Sequence, residues 1–346
     1  MADDIFSRLF ELFNQPGPIN WKLAEEVANH LAGEKDVVDP WSAEEIEQLV
    51  RLAEYRLEGV TPFAVAPAPQ VRVVDGRTWV EESLRRLAYL ADPITESVAS
   101  AFASFAAGTG IGGSIAGLQI GTIAGSIASN NIASFEAGIP LIPSDALLVI
   151  GPGLERLMRA GGDEHQVRLW VASNEVAHRA LFAVPWLPEH LGSLLGNAFA
   201  GMMPSPESFG ELLGQDPANM ADPERIAALF NRPQSAGEAD LATFLAVTGG
   251  YRSLVVGRAM SEMLNVDLVG AIEAAEPSTG PVGSPLPNTA ALVPQGLEFC
   301  QEIERRFGRE AVDSIWDSPE RLPTTPELED PVGWAARVLL DSGLDL

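Results

Sequence analysis

From Ser97 to Phe135 the chain carries no charged side chain, an unbroken stretch of 39 residues. A run that long has two physical destinations, a bilayer or a protein interior, because about 18 consecutive apolar residues already suffice to span a membrane. Composition decides between them. Seven of these residues are Gly and many others Ala, Ser or Thr, so transfer into lipid is weakly driven. The flanking Glu96 and Glu136 supply none of the Lys or Arg that anchors a span. Gly113, Gly117, Gly121 and Gly125 recur every fourth residue, which on a helix lays a smooth stripe where a second helix can approach closely. The run reads as a buried helix pair in a soluble core, not as a membrane hairpin.

The rest of the composition agrees. With 346 residues, 46% apolar and 20% charged, the chain can bury a large core. Its formal charge is 22 minus 48, or −26. Such a surface repels phosphate backbones and anionic headgroups, which argues against nucleic acid and against peripheral membrane binding. Cys300 is the only cysteine, so internal disulfides and Cys-based metal knuckles are excluded and a reducing compartment is expected. Asp3 and Asp4 stand where a secretory signal carries basic residues. The expected location is the cytoplasm.

Along the chain the signals are helical. Ser42 with Glu45, and Thr78 with Glu81, read as capping boxes ahead of apolar periodicity. Between them Val60 to Val74, with Pro62, Pro67 and Pro69, reads as an extended connector or one edge strand. Ala146 to Ile150 is a short buried extended piece or helix lead-in. Helices are expected at about 164–183, 223–230, 238–264 and 296–307, with breaker-rich loops at 203–223 and 277–294. No alternation of strand and helix appears, so the fold class is mostly α, with few or no short strands. We divide the chain into an N-terminal helical portion, 1–80, and a main helical domain, 81–346, which together form one compact unit.

Candidate chemistry concentrates on the 164–183 helix. Residues 173–179 read Ser-Asn-Glu-Val-Ala-His-Arg, one substitution from His-Glu-x-x-His. That pattern works because positions i and i+4 share a helix face, so two imidazoles grip one zinc while the Glu serves as base for the metal-bound water. Here Asn174 takes the first position; Glu175 and His178 remain. His165 lies about 220° around the helix from His178 and points away, and His190 lies beyond Pro185 and Pro188. Cys300, Trp316 and Trp334 read as packing residues.

The surrounding residues carry more than the motif does. Leu169-Trp170-Val171 leads in, Arg179-Ala180-Leu181-Phe182 follows and Val184-Pro185-Trp186-Leu187 closes the helix. With Asp92-Pro93, Leu147-Leu148-Val149, Gln295-Gly296 and Ile315-Trp316-Asp317-Ser318-Pro319-Glu320, the chain from about 80 to 340 resembles bacterial zincin-like zinc-dependent metalloproteases or hydrolases, some associated with deazaflavin-cofactor biosynthesis. The resemblance implies a zincin-like helical domain with a zinc ion, the metal ligated at the positions of Asn174 and His178, and Glu175 as catalytic base.

The sequence departs from that family where the metal would bind. Asn174 replaces the first His. The family's Leu-Glu-Gly-His, whose Glu is the implied third ligand, appears as Thr248-Gly249-Gly250-Tyr251, placing Gly249 at the ligand position. Val-Met-Asp appears as Val255-Val256-Gly257. A carboxamide is a weak zinc donor, and a catalytic site needs three protein ligands. The expected reading is a degenerate, metal-free relative with no cofactor, acting as a binding or scaffolding protein for a peptide or protein partner. Glu175 and His178 then form a structural polar cluster with Arg179 or Tyr251. The alternative is a zinc-dependent hydrolase, a peptidase, whose remaining ligands the sequence does not reveal.

Overall fold

Asn20 starts the first described helix, α1 (Trp21–Ala32), by accepting the Leu23 N–H on its side chain at 3.0 Å. Its own backbone N–H donates to the Gly113 carbonyl at 2.8 Å, pinning α1 to the long uncharged helix α5 (Ile111–Asn130). The glycine stripe works as its spacing predicts. A Cβ on Gly121 would lie 2.5 Å from the Ala24 carbonyl oxygen, and one on Gly125 would lie 2.9 Å from that of Ala28. The stripe's partner is α1, in the first eighty residues, rather than another part of the uncharged run.

The computed structural model describes residues 19–38, 40–101, 111–143, 145–161, 163–202, 235–265, 287 and 289–340. Among the described residues the architecture is mostly α with two short strands. The helix expected at 223–230 lies outside the described residues. Among the described residues no helix is long and apolar enough to cross a membrane.

Both helix starts assigned to capping boxes differ from the sequence reading. Helix α2 (Pro40–Glu58) begins before Ser42, because Pro fixes a helical φ and lacks a donor that would go unused in the first turn. Helix α3 (Gly76–Ser83) is capped by Asp75, which accepts from the N–H groups of Arg77 and Thr78 and from the Thr78 hydroxyl. Thr78 therefore lies inside the helix. A 3-10 turn, Leu84–Leu90, leads into α4 (Ala91–Ala101).

The connector at 60–69 runs into β1 (Gln70–Val74), which pairs in parallel with β2 (Ala146–Ile150), Val71 opposite Leu147 and Val73 opposite Val149. All five residues of β2 are buried, as a continuous apolar run predicts. Between α5 and β2 sits a single helical turn, α6 (Ser134–Ala137), closed by Gly138 at φ 66°, a conformation that glycine adopts without steric cost.

After β2 come α7 (Gly151–Gly161), α8 (Glu164–Leu181), α9 (Leu187–Met202) and α10 (Ala236–Met260). Ser235 and Glu238 form a complete capping box at the start of α10. Helix α11 (Thr289–Phe307) starts earlier than expected, with Pro294 inside it rather than ending a loop. The chain closes through α12 (Arg309–Asp313), three 3-10 turns and α13 (Pro331–Val338). Cys300, Trp316 and Trp334 are buried. One cluster of buried apolar side chains runs from Ala24 and Ile46 through Trp79 and Leu148 to Trp334.

Candidate functional site

Helix α8 is buried on every side from Val167 to His178, so each polar side chain there must find its partner inside the protein. Two turn back on backbone carbonyls of their own helix. Ser173 donates to the Leu169 carbonyl at 2.7 Å and the Asn174 amide donates to that of Trp170 at 2.9 Å. Glu175 reaches across to α6. One carboxylate oxygen accepts from the Ser134 hydroxyl at 2.8 Å and the other from the Phe135 N–H at 3.1 Å.

That arrangement has a structural cause. The residue preceding α6 is Ala133, which has no side-chain acceptor, leaving the first N–H groups of the turn without a local cap. Glu175 supplies the acceptor from a distant helix. Arg252 on α10 holds the same residue through the next peptide, donating to the Phe135 carbonyl at 2.7 Å with its guanidinium 4.8 Å from the Phe135 ring. Thr289 of α11 donates to the next carbonyl, that of Glu136. Three helices thus converge on the Ser134–Glu136 backbone. Burial raises the Glu175 carboxyl pKa, against the Ser134 and Phe135 hydrogen bonds and the charges of Arg179 and Arg252.

His178, one turn on, is neutral at ordinary pH. Burial first, and the Arg252 charge second, hold its pKa down to about 3, while the Ile139 carbonyl acts in the opposite direction. Its Nε2 is buried and has no hydrogen-bond partner among the described residues. With a carbonyl beside the ring and Nε2 bare, the favoured tautomer carries its proton on Nδ1 and leaves a lone pair on Nε2. The ring packs 4.7 Å from that of Phe182.

Two spaces open beside these residues. A cleft of about 170 Å³ is lined by Val65, Leu141, Ile142, Phe182, Glu175 and Arg179, among others. A void of about 10 Å³, the size of one water, lies between His178, Thr248, Gly249, Arg252 and Val293.

The structure brings His178 and Gly249 together and keeps Asn174 off both spaces. It also revises the expected polar cluster. Glu175 bonds to α6, not to His178, and Tyr251 bonds to Asp313 at 2.7 Å. His165 is exposed beside Glu45 at 2.9 Å. His190 is half-buried, 5.6 Å from both the Trp186 and Phe244 rings. Sequence reasoning missed Ser134, Arg252, Thr289 and Val293, because nothing in their spacing links them to position 175.

Residues 19–335 match the family of zincin-like metallopeptidases. The chain belongs to that family. It also shares a fold with the "putative hydrolase with a novel fold" from Chloroflexus aurantiacus, at TM-score 0.60 and 21% identity, over 92% of this chain and 98% of that one. No curated protein matches.

Zinc is the metal the family implies, and the side chains here do not suit it. His178 offers one bare nitrogen. The Asn174 amide is bonded to its own helix, Glu175 has an acceptor role on both oxygens, and Gly249 has no side chain. Among the described residues no group of three or more His, Cys, Asp or Glu stands together.

Proposed function

We propose that this member of the zincin-like family has exchanged metal-dependent hydrolysis for binding, and that it takes a peptide or protein partner in the cleft beside Glu175. The observation that carries the reading is the position of the Glu175 carboxylate. In a working zincin this group must face metal-bound water to accept its proton; here both oxygens hold the start of α6. The cleft walls, Val65, Leu141, Ile142 and Phe182, suit an apolar side chain from the partner. Neither nucleic acid nor membrane suits a chain of net charge −26. A cytoplasmic location accords with the single buried thiol, and the cluster of apolar side chains that continues across position 80 supports reading 1–80 and 81–346 as one unit.

The second reading, a zinc-dependent peptidase, has one observation in its favour, the bare Nε2 of His178. Metal analysis of protein purified without chelator, beside a peptidase assay, separates the two. Protein with no stoichiometric metal and only background hydrolysis supports the binding role. About one zinc per chain, lost in His178→Ala together with peptidase activity, would establish the enzyme.

A further inference from the structure

Gly249 lines the same small void as His178, yet this position is not open. A Cβ built there would lie 2.6 Å from the Val293 Cγ2 on α11, well inside the ~3.5–4 Å at which carbon atoms rest. Nor can the helices separate easily to relieve that overlap. A Cβ on Gly250 would collide with the Gly296 backbone, and one on Gly296 would collide with the Ala246 carbonyl. Helices α10 and α11 therefore meet at backbone contact one turn beyond Val293, and this contact holds Val293 over position 249.

We propose that Val293 closes the third-ligand position of the zincin pocket, so that Gly249 is required by the docking of α11 and is more than a missing carboxylate. The pocket is sealed sterically as well as chemically, and position 293 governs whether any side chain at 249 can reach the void beside His178. This extends the metal-free reading but stands on packing alone. Wild-type metal content tests that reading; the coupling between 249 and 293 tests this one, with or without metal.

The experiment is a double-mutant cycle read by thermal unfolding. Gly249→Ala should lower the melting temperature by overpacking, and Val293→Ala should lower it by opening a cavity. The two together should cost less than the sum, because the smaller residue at 293 makes room for the new methyl. If Gly249→Ala alone is too unstable to purify, recovery of folded protein in the Val293→Ala background supports the proposal and failure to recover overturns it. Strict additivity also overturns it.

Discussion

Glu175→Gln and Glu175→Ala should differ sharply in stability, and the hydrogen bonds around the carboxylate fix both magnitudes. A Gln at 175 can accept the Phe135 N–H on its carbonyl oxygen and donate its amide to the Ser134 hydroxyl, which reverses its role from donor to acceptor. Both hydrogen bonds to residue 175 can then persist. What is lost is charge: the assistance to two hydrogen bonds and the attraction to Arg179 and Arg252. The raised pKa of Glu175 shows that burial outweighs those gains for the ionised form, so removing the charge also removes a desolvation cost. The net cost should be about 1 kcal/mol or less.

Ala at 175 can do neither job. It leaves the buried Phe135 N–H without an acceptor, about 1–3 kcal/mol, and opens space in the packed interior, so the total should reach ~3 kcal/mol or more. The assay is chemical denaturation of both variants, with peptide hydrolysis measured alongside. A Ser134→Ala background adds a check, since it removes the acceptor for the Gln amide and should make Glu175→Gln more costly than it is in the wild type. The reasoning fails if Gln and Ala cost the same. It fails more deeply if Glu175→Gln leaves stability untouched while abolishing a peptidase activity present in the wild type, because Glu175 would then be a working base.

Three further outcomes follow from the same geometry. Gly121→Ala should destabilise by ~1–3 kcal/mol in thermal unfolding, since its Cβ would lie 2.5 Å from the Ala24 carbonyl oxygen; an unchanged melting temperature would show that α1 can move off α5. Acidification should weaken the fold through His178, because a folded pKa near 3 against an unfolded 6.5 means that the unfolded chain binds the extra proton between those values. That contribution is about 2 kcal/mol lost from pH 7 to pH 5. Glu175, with its pKa raised, works in the opposite sense as it protonates; a His178→Gln variant should therefore lose less stability than wild type over this interval, and equal slopes would contradict a neutral buried imidazole. Asn174→His alone should bind no zinc by calorimetric titration, because it adds one ligand to His178 and leaves position 249 without a donor.

The fold was largely legible because its determinants are local or periodic. The four-residue glycine spacing announced a close helix contact whatever the partner, and the unbroken apolar run at 146–150 announced a fully buried segment. The partner of the glycine stripe was not legible. Selecting α1 depends on Asn20 meeting Gly113, a pairing across 93 positions that no periodicity encodes. The start of α3 went to Asp75 because an ionised carboxylate collects three donors there, while Thr78 and Glu81 only have the spacing of a box.

At the candidate site the sequence singles out Glu175 and His178 but does not show what their side chains touch. A Glu three positions before a His looks the same in sequence whether it faces a metal-bound water or a backbone amide. The difference lies in Ala133, which cannot cap its own turn, and so places on α8 the task of satisfying the Phe135 N–H. Once the carboxylate serves that turn, Arg252 and Thr289 can fasten the same three residues from α10 and α11. These polar groups then stabilise the junction of three helices. Position 249 fits the same account. A glycine at the position that the resemblance gives to a ligand reads in sequence as a loss, but a Cβ there would lie 2.6 Å from Val293, which accords with its being needed for α11 to lie on α10. A Glu at position 175 is therefore expected on stability grounds alone, since its two oxygens satisfy the Ser134 hydroxyl and the Phe135 N–H at the start of one helical turn.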